Sequence, residues 1–78
     1  MKLMEVISKR LKEFMIDRGL LVASLSKLSD VSESTIRNIL NLKSKNMRTT
    51  TLIKLADALE VKINDFFIGS EYETKKVK

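Results

Sequence analysis

Residues 25 to 40 read LSKLSDVSESTIRNIL, and this stretch decides the fold. With Val22 just upstream, its apolar positions Leu25 and Leu28 keep a helical spacing, which is lost at Ser29 and Asp30 and regained at Val31, Ile36, Ile39 and Leu40. A spacing of three or four is that of a helix with one buried face, and the break marks a turn between two such helices. The first is about two turns long. Ser32 is a suitable N-cap for the second, because its hydroxyl can accept a hydrogen bond from a free amide of the first turn. Close crossing of the two needs a small side chain in the first, an apolar residue at the turn exit and a branched apolar residue in the second. Ser26, Val31 and Ile36 occupy those places.

Upstream, Leu3, Ile7, Leu11, Phe14 and Met15 recur every three or four positions among Lys9, Arg10, Lys12, Glu13 and Asp17. This predicts an amphipathic helix from Lys2 to Arg18, stopped by Gly19, a residue that readily takes the left-handed conformation closing a helix. Downstream, NLKSKNMRTT (residues 41 to 50) has no period and is rich in Lys, Asn, Ser and Thr, so it reads as a basic loop, with Thr49 or Thr50 capping the next helix. Leu52, Ile53, Leu55, Ala56 and Leu59 define that fourth helix, and Ile63, Phe66 and Phe67 a brief fifth beyond a connection at residues 60 to 62. The expected class is all-α, a compact five-helix bundle, in one domain over residues 1 to 68. The remaining residues, 69 to 78, lack a coherent apolar face and are expected to form a flexible charged tail.

Composition narrows the function. The chain has 78 residues and contains neither Cys nor His, so a zinc site, a thiolate nucleophile and an imidazole base are excluded by inventory. A chain this short buries about 60% of its unfolded surface, enough for one modest core but hardly a deep substrate cavity besides. Asp17, Asp30, Asp57 and Asp65 show no paired spacing tied to a pocket, so no enzyme, cofactor or small-molecule substrate is expected. The longest apolar run is Leu20 to Ala23, which gives neither a secretory core nor a membrane span, and a cytoplasmic protein is the expectation. The net charge of +5 is unevenly placed: between positions 33 and 54, Arg37, Lys43, Lys45, Arg48 and Lys54 face Glu33 alone. A basic middle segment points toward a polyanion.

Two short helices around a tight turn, with a basic loop after the second, form the arrangement of a helix-turn-helix. Three stretches, ISKRLKEFMIDRGL, LSKLSDVSESTIRNIL and TLIKLADALEVKINDFF, make the chain resemble the lambda-repressor-like helix-turn-helix family of Cro and phage repressors over residues 6 to 67. The last is the most specific, with Leu52, Leu55, Ala56, Ala58, Leu59 and Val61 matching a recurrent core pattern. The resemblance implies a regulator of transcription from a bacterium or phage that occupies a double-stranded DNA operator, with its third helix in the major groove. It also implies that Glu33, Ser34, Arg37 and Asn38 face the bases, and that Thr35, Lys43, Lys45, Asn46 and Arg48 contact the DNA backbone. Their chemistry suits those roles: Asn38 for adenine, Glu33 for the cytosine amino group, Arg37 for guanine or phosphate, with Ser34 permissive.

The chain departs from the family at four places. Leu21 and Val22 stand where a capping Ser or Thr and a phosphate-contacting glutamine are usual, leaving the second helix without a side-chain cap. Asp30 replaces the Gly of the turn, a change Asp tolerates because it enters the left-handed region more readily than most residues. Leu42 stands where Gly often follows the reading helix, and since leucine is costly in that conformation, Asn41 is expected to adopt it instead. Leu21, Val22, Leu42, Met47, Ile68 and Tyr72 are more apolar than an isolated DNA reader requires, and a homodimer on a palindromic site is the expected assembly. A rival reading stays open, in which the same fold is a protein-interaction module of antitoxin or antirepressor type.

Overall fold

The computed structural model describes residues 3 to 44 and 46 to 68. Four α-helices follow one another, α1 (Leu3–Asp17), α2 (Val22–Ser29), α3 (Glu33–Leu40) and α4 (Thr49–Leu59), and a 3₁₀ turn, Ile63–Phe66, closes the order. No strand occurs among the described residues. α1 packs on α3, α2 on both α3 and α4, and the 3₁₀ turn on α1 and α4. The apolar positions that define the helical period are the ones that meet: Ile7, Leu11, Leu25, Ile36, Ile39, Leu55, Leu59 and Phe66 are all buried in one core. Phe66 lies edge-on to Phe14, with ring centroids 5.2 Å apart, an arrangement that suits the ring quadrupoles.

The expected fifth helix is instead that single 3₁₀ turn. Glu60, at φ 60°, closes α4 in the left-handed region. The carboxylate of Asp65 then accepts from the Lys62 N–H at 2.9 Å, and the backbone bonds Asp65 N–H to Lys62 and Phe67 N–H to Asn64 each span three residues. That hydrogen-bond span is the tighter 3₁₀ spacing, seldom continued beyond three or four residues. It nevertheless delivers Phe66 to the core.

Three helices end in the same closure. Gly19, Leu42 and Glu60 have φ near 60°, and in each case two amides return to carbonyls of the last turn. The bonds are Gly19 to Ile16 and Leu20 to Met15, Leu42 to Ile39 and Lys43 to Asn38, and Glu60 to Asp57 and Val61 to Ala56. This is the Schellman pattern, which satisfies carbonyls the helix leaves unpaired. Leu42 corrects the sequence expectation: it takes the left-handed conformation itself, while Asn41 stays at φ −94°. The bonds from Leu42 and Lys43 require residue 42 to turn left, and the leucine side chain, half exposed, borders a groove shared with Leu3, Met4 and Phe67. Asp30 takes the left-handed region as expected, at φ 60°.

The turn between α2 and α3 presents a sharper problem. Val31 buries its side chain in the core outside any helix, so its own N–H and C=O need partners there, since a buried unpaired backbone group costs about as much as a lost hydrogen bond. Two serines of α2 supply them. The Ser29 hydroxyl accepts from the Val31 N–H at 3.2 Å and donates to the Leu25 carbonyl at 2.7 Å, while the Ser26 hydroxyl donates to the Val31 carbonyl at 2.6 Å. Ser26 is therefore needed for its oxygen as well as its size. Ser26→Ala keeps the close crossing but strips the Val31 carbonyl of its partner, and is expected to destabilise the domain by about 1–2 kcal/mol in urea unfolding; a neutral result would mean that size alone matters.

Candidate nucleic-acid interface

α3 has one apolar and one polar side, and the partition is clean. Ile36 and Ile39 are buried and Leu40 packs against the same core. At about 100° per residue, Glu33, Arg37, Ser34 and Asn38 fall in order along an arc of about 140° on the opposite side. Ser34, Arg37 and Asn38 are exposed and Glu33 is half-buried. The four residues expected to face bases thus share one continuous outward surface. Within it, Glu33 Oε1 and Arg37 Nη2 form an ion pair at 2.9 Å, four residues apart along the helix.

The N-terminus of α3 is set by Ser32, whose hydroxyl accepts from the Thr35 N–H at 3.1 Å and donates to Thr35 Oγ1 at 2.8 Å. Its capping role is legible in the sequence. Thr35, expected at the DNA backbone, is half-buried at the edge of the outward arc, and its hydroxyl accepts from Ser32, which leaves its own hydrogen to donate elsewhere. The C-terminus of α3 is tied to α1 by the buried Ser8, whose hydroxyl donates to the Leu40 carbonyl at 3.2 Å. Sequence reasoning gives Ser8 no role. Its only signal is a hydroxyl on the apolar face of the first helix, one residue after Ile7 and three before Leu11.

The basic loop starts directly from α3, because the Lys43 N–H bonds to the Asn38 carbonyl at 2.8 Å. Lys43, Asn46 and Arg48 are exposed, and Met47 between them is packed against the core. One apolar anchor therefore holds the loop while its cations and amide point to solvent. Lys45 lies outside the described residues, as do Tyr72 and the expected tail at 69 to 78. Arg48 itself is the N-cap of α4 and no side-chain hydrogen bond caps that helix, so Thr49 and Thr50 sit in its first turn rather than before it. The expected cap at Thr49 or Thr50 is corrected on this point.

α2 begins at Leu21 without a side-chain cap, as its sequence implies. Leu21, Leu28 and Ile16 are exposed, at 72%, 61% and 78%, whereas Val22 and Met47 pack against the core. The apolar residues singled out for a second copy are therefore divided. Leu21, Leu42 and Ile68 are available on the surface, and Val22 and Met47 belong to the fold. Among the described residues, no group of three or more acidic side chains is placed to hold a metal ion, and no helix is long and apolar enough to cross a membrane.

A family model described as the Cro/C1-type helix-turn-helix DNA-binding domain matches residues 10 to 69. Neither the curated proteins nor the solved structures yield a match to the chain. The matched span contains α2, α3, the basic loop, α4 and the 3₁₀ turn, and so every described residue of the interface. Replacing Ser32 by Ala is expected to lower stability by about 1 kcal/mol through loss of the cap. Amide exchange should accelerate most at Thr35, and uniform acceleration along α3 would show that the cap does not hold this end of the helix.

Proposed function

The chain belongs to the Cro/C1-type helix-turn-helix DNA-binding family, and on that premise we propose that it is a sequence-specific repressor of transcription that occupies an operator with α3 in the major groove. One observation carries this reading: α3 turns an unbroken polar face outward, with Ser34, Arg37 and Asn38 exposed, while the other side of the same helix is locked into the core. A reading helix must be rigidly held on one side and free on the other, and its side chains must carry both donors and acceptors. Asn38 is the residue suited to adenine, through paired bonds to N6 and N7. Arg37 suits guanine, and Ser34 accepts several partners. Glu33 stands at the N-terminal edge of the same face.

Thr35, Lys43, Lys45, Asn46 and Arg48 fix the register on the duplex by contacting phosphates. Such contacts convey little sequence information but supply most of the affinity and all of its steep salt dependence. The basic loop leaves α3 with its cations exposed and Met47 anchored, which supports that division of labour. At the uncapped start of α2 the side chains of Leu21 and Val22 carry no donor for a phosphate, so side-chain clamping relies on the loop. On DNA the protein acts as a homodimer on a palindrome, with half-sites about 34 Å apart, and exposed Leu21, Leu42 and Ile68 are the apolar residues offered to the second copy.

Selection of bound sequences from a random duplex pool tests the reading and returns the symmetry of the site. With that site in hand, Asn38→Ala should weaken specific binding by about 1–3 kcal/mol and relax preference at one base pair. Equal discrimination by parent and variant would remove Asn38 from the reading face. Lys43→Ala should weaken all sequences alike and lower the slope of log K against log salt by about one. An unchanged slope would remove Lys43 from the interface, and salt-independent binding by the parent would favour a protein-interaction module instead.

A further inference from the structure

On the outward face of α3, Glu33 is the one acid, and an acid is a poor choice for a surface that approaches a polyanion. An ionised carboxylate only accepts hydrogen bonds, and phosphates offer it none. Its position explains its presence. Glu33 is the first residue of α3, where the positive end of the helix dipole favours an anion, and it lies four residues before Arg37, the favourable order for an acid and a base on one helix face. The two meet at 2.9 Å between Glu33 Oε1 and Arg37 Nη2, with side chains 44% and 58% exposed.

We infer that Glu33 is a positioning residue: it holds the Arg37 guanidinium in the orientation that grips guanine, and reads no base itself. This inference rests on α3 being the helix that enters the major groove. Arginine carries five N–H donors on a rigid plane. One of them is engaged by Glu33, and the others remain for the O6 and N7 acceptors of guanine, which arginine meets as a pair. Without the carboxylate, the long aliphatic stem of Arg37 is free to turn its charge toward a neighbouring phosphate, where it contributes affinity and no selectivity. Tethered, it is directed inward along the reading face. The carboxylate oxygen bound to Arg37 is also less available to a cytosine amino group, so the pair forms one recognition unit instead of two readers.

An exposed pair of this kind is worth little in water, about a factor of two, and gains strength when the groove excludes solvent on docking. The experiment compares base preferences of the parent, Glu33→Ala, Glu33→Gln, Arg37→Ala and Glu33→Ala with Arg37→Ala, each selected from a random duplex pool and then titrated on single-substitution sites. Both side chains are on the surface, and a thermal melt of each variant serves as the check that it is folded. The parent should prefer guanine at one position, and Arg37→Ala should abolish that preference. Glu33→Ala should reduce the same preference by about two- to tenfold, leave other positions unchanged and tighten binding to random duplex. Glu33→Gln, which keeps an accepting oxygen, should retain most of the preference, and in the Arg37→Ala background the loss of Glu33 should change no base preference.

Two results overturn the inference while leaving the DNA-reading role intact. If Glu33→Ala removes a cytosine preference at a position that Arg37→Ala does not touch, Glu33 is itself a reader. If Glu33→Ala tightens every sequence equally with the guanine preference unchanged, the carboxylate only repels phosphate. A parent chain without preference at any position overturns both the inference and the reading on which it rests.

Discussion

The placement of α3 depends on how one peptide unit is satisfied in the turn before it. Val31 must enter the core to end the turn, yet it lies outside helical hydrogen bonding, and its N–H and C=O go in with it. Ser29 and Ser26, both on α2, accept from the first and donate to the second. These two bonds fix where α3 starts relative to α2. Leu25 and Ile36, both fully buried, then fill the crossing. Apolar burial supplies most of the driving force for the bundle, but it is not directional. The serine bonds give the turn one geometry among the several that would bury the same side chains.

That turn determines the rest of the site in order along the chain. Ser32 starts α3 with a cap, Ile36 and Ile39 hold its inner side, and Ser8 of α1 secures the Leu40 carbonyl at its far end. A helix of only eight residues is too short to be stable alone, so its rigidity is borrowed from α1, α2 and the core. The polar face is then presented without any need to stabilise itself, and its residues can be chosen for what they recognise. The loop beyond α3 is joined to the same helix through the Asn38 carbonyl and anchored by Met47, which couples the exposed cations of the loop to the exposed polar side chains of α3.

Much of this is legible in the sequence because it rests on periodicity and local chemistry. The apolar spacing locates four helices, the Ser32 cap is evident from residue type, and the set Glu33, Ser34, Arg37 and Asn38, which the family resemblance implies, lies on one outward side of α3. The failures share a cause. At Leu42 the sequence shows only the intrinsic cost of the left-handed conformation for a branched side chain, whereas two backbone bonds and a half-sheltered position decide the matter. The fifth helix rests on Ile63, Phe66 and Phe67, whose spacing is equally compatible with one 3₁₀ turn. Ser8 and Ser29 escape a sequence reading because a lone hydroxyl carries no periodic signal, and its value depends on a carbonyl or amide brought close only by the tertiary fold. Ser26 stands out in the sequence for its small size, although its oxygen is equally required.

The central claim is that the exposed side of α3 meets the edges of base pairs. Titrating ¹⁵N-labelled protein with its selected duplex, and following backbone amide shifts, tests this residue by residue. The largest changes are expected across Glu33 to Asn38 and in the loop around Lys43 and Arg48, with the buried centre of α1 little affected. Changes confined to α1 and α2 around Ile16, Leu21 and Leu28, with α3 silent, would contradict it.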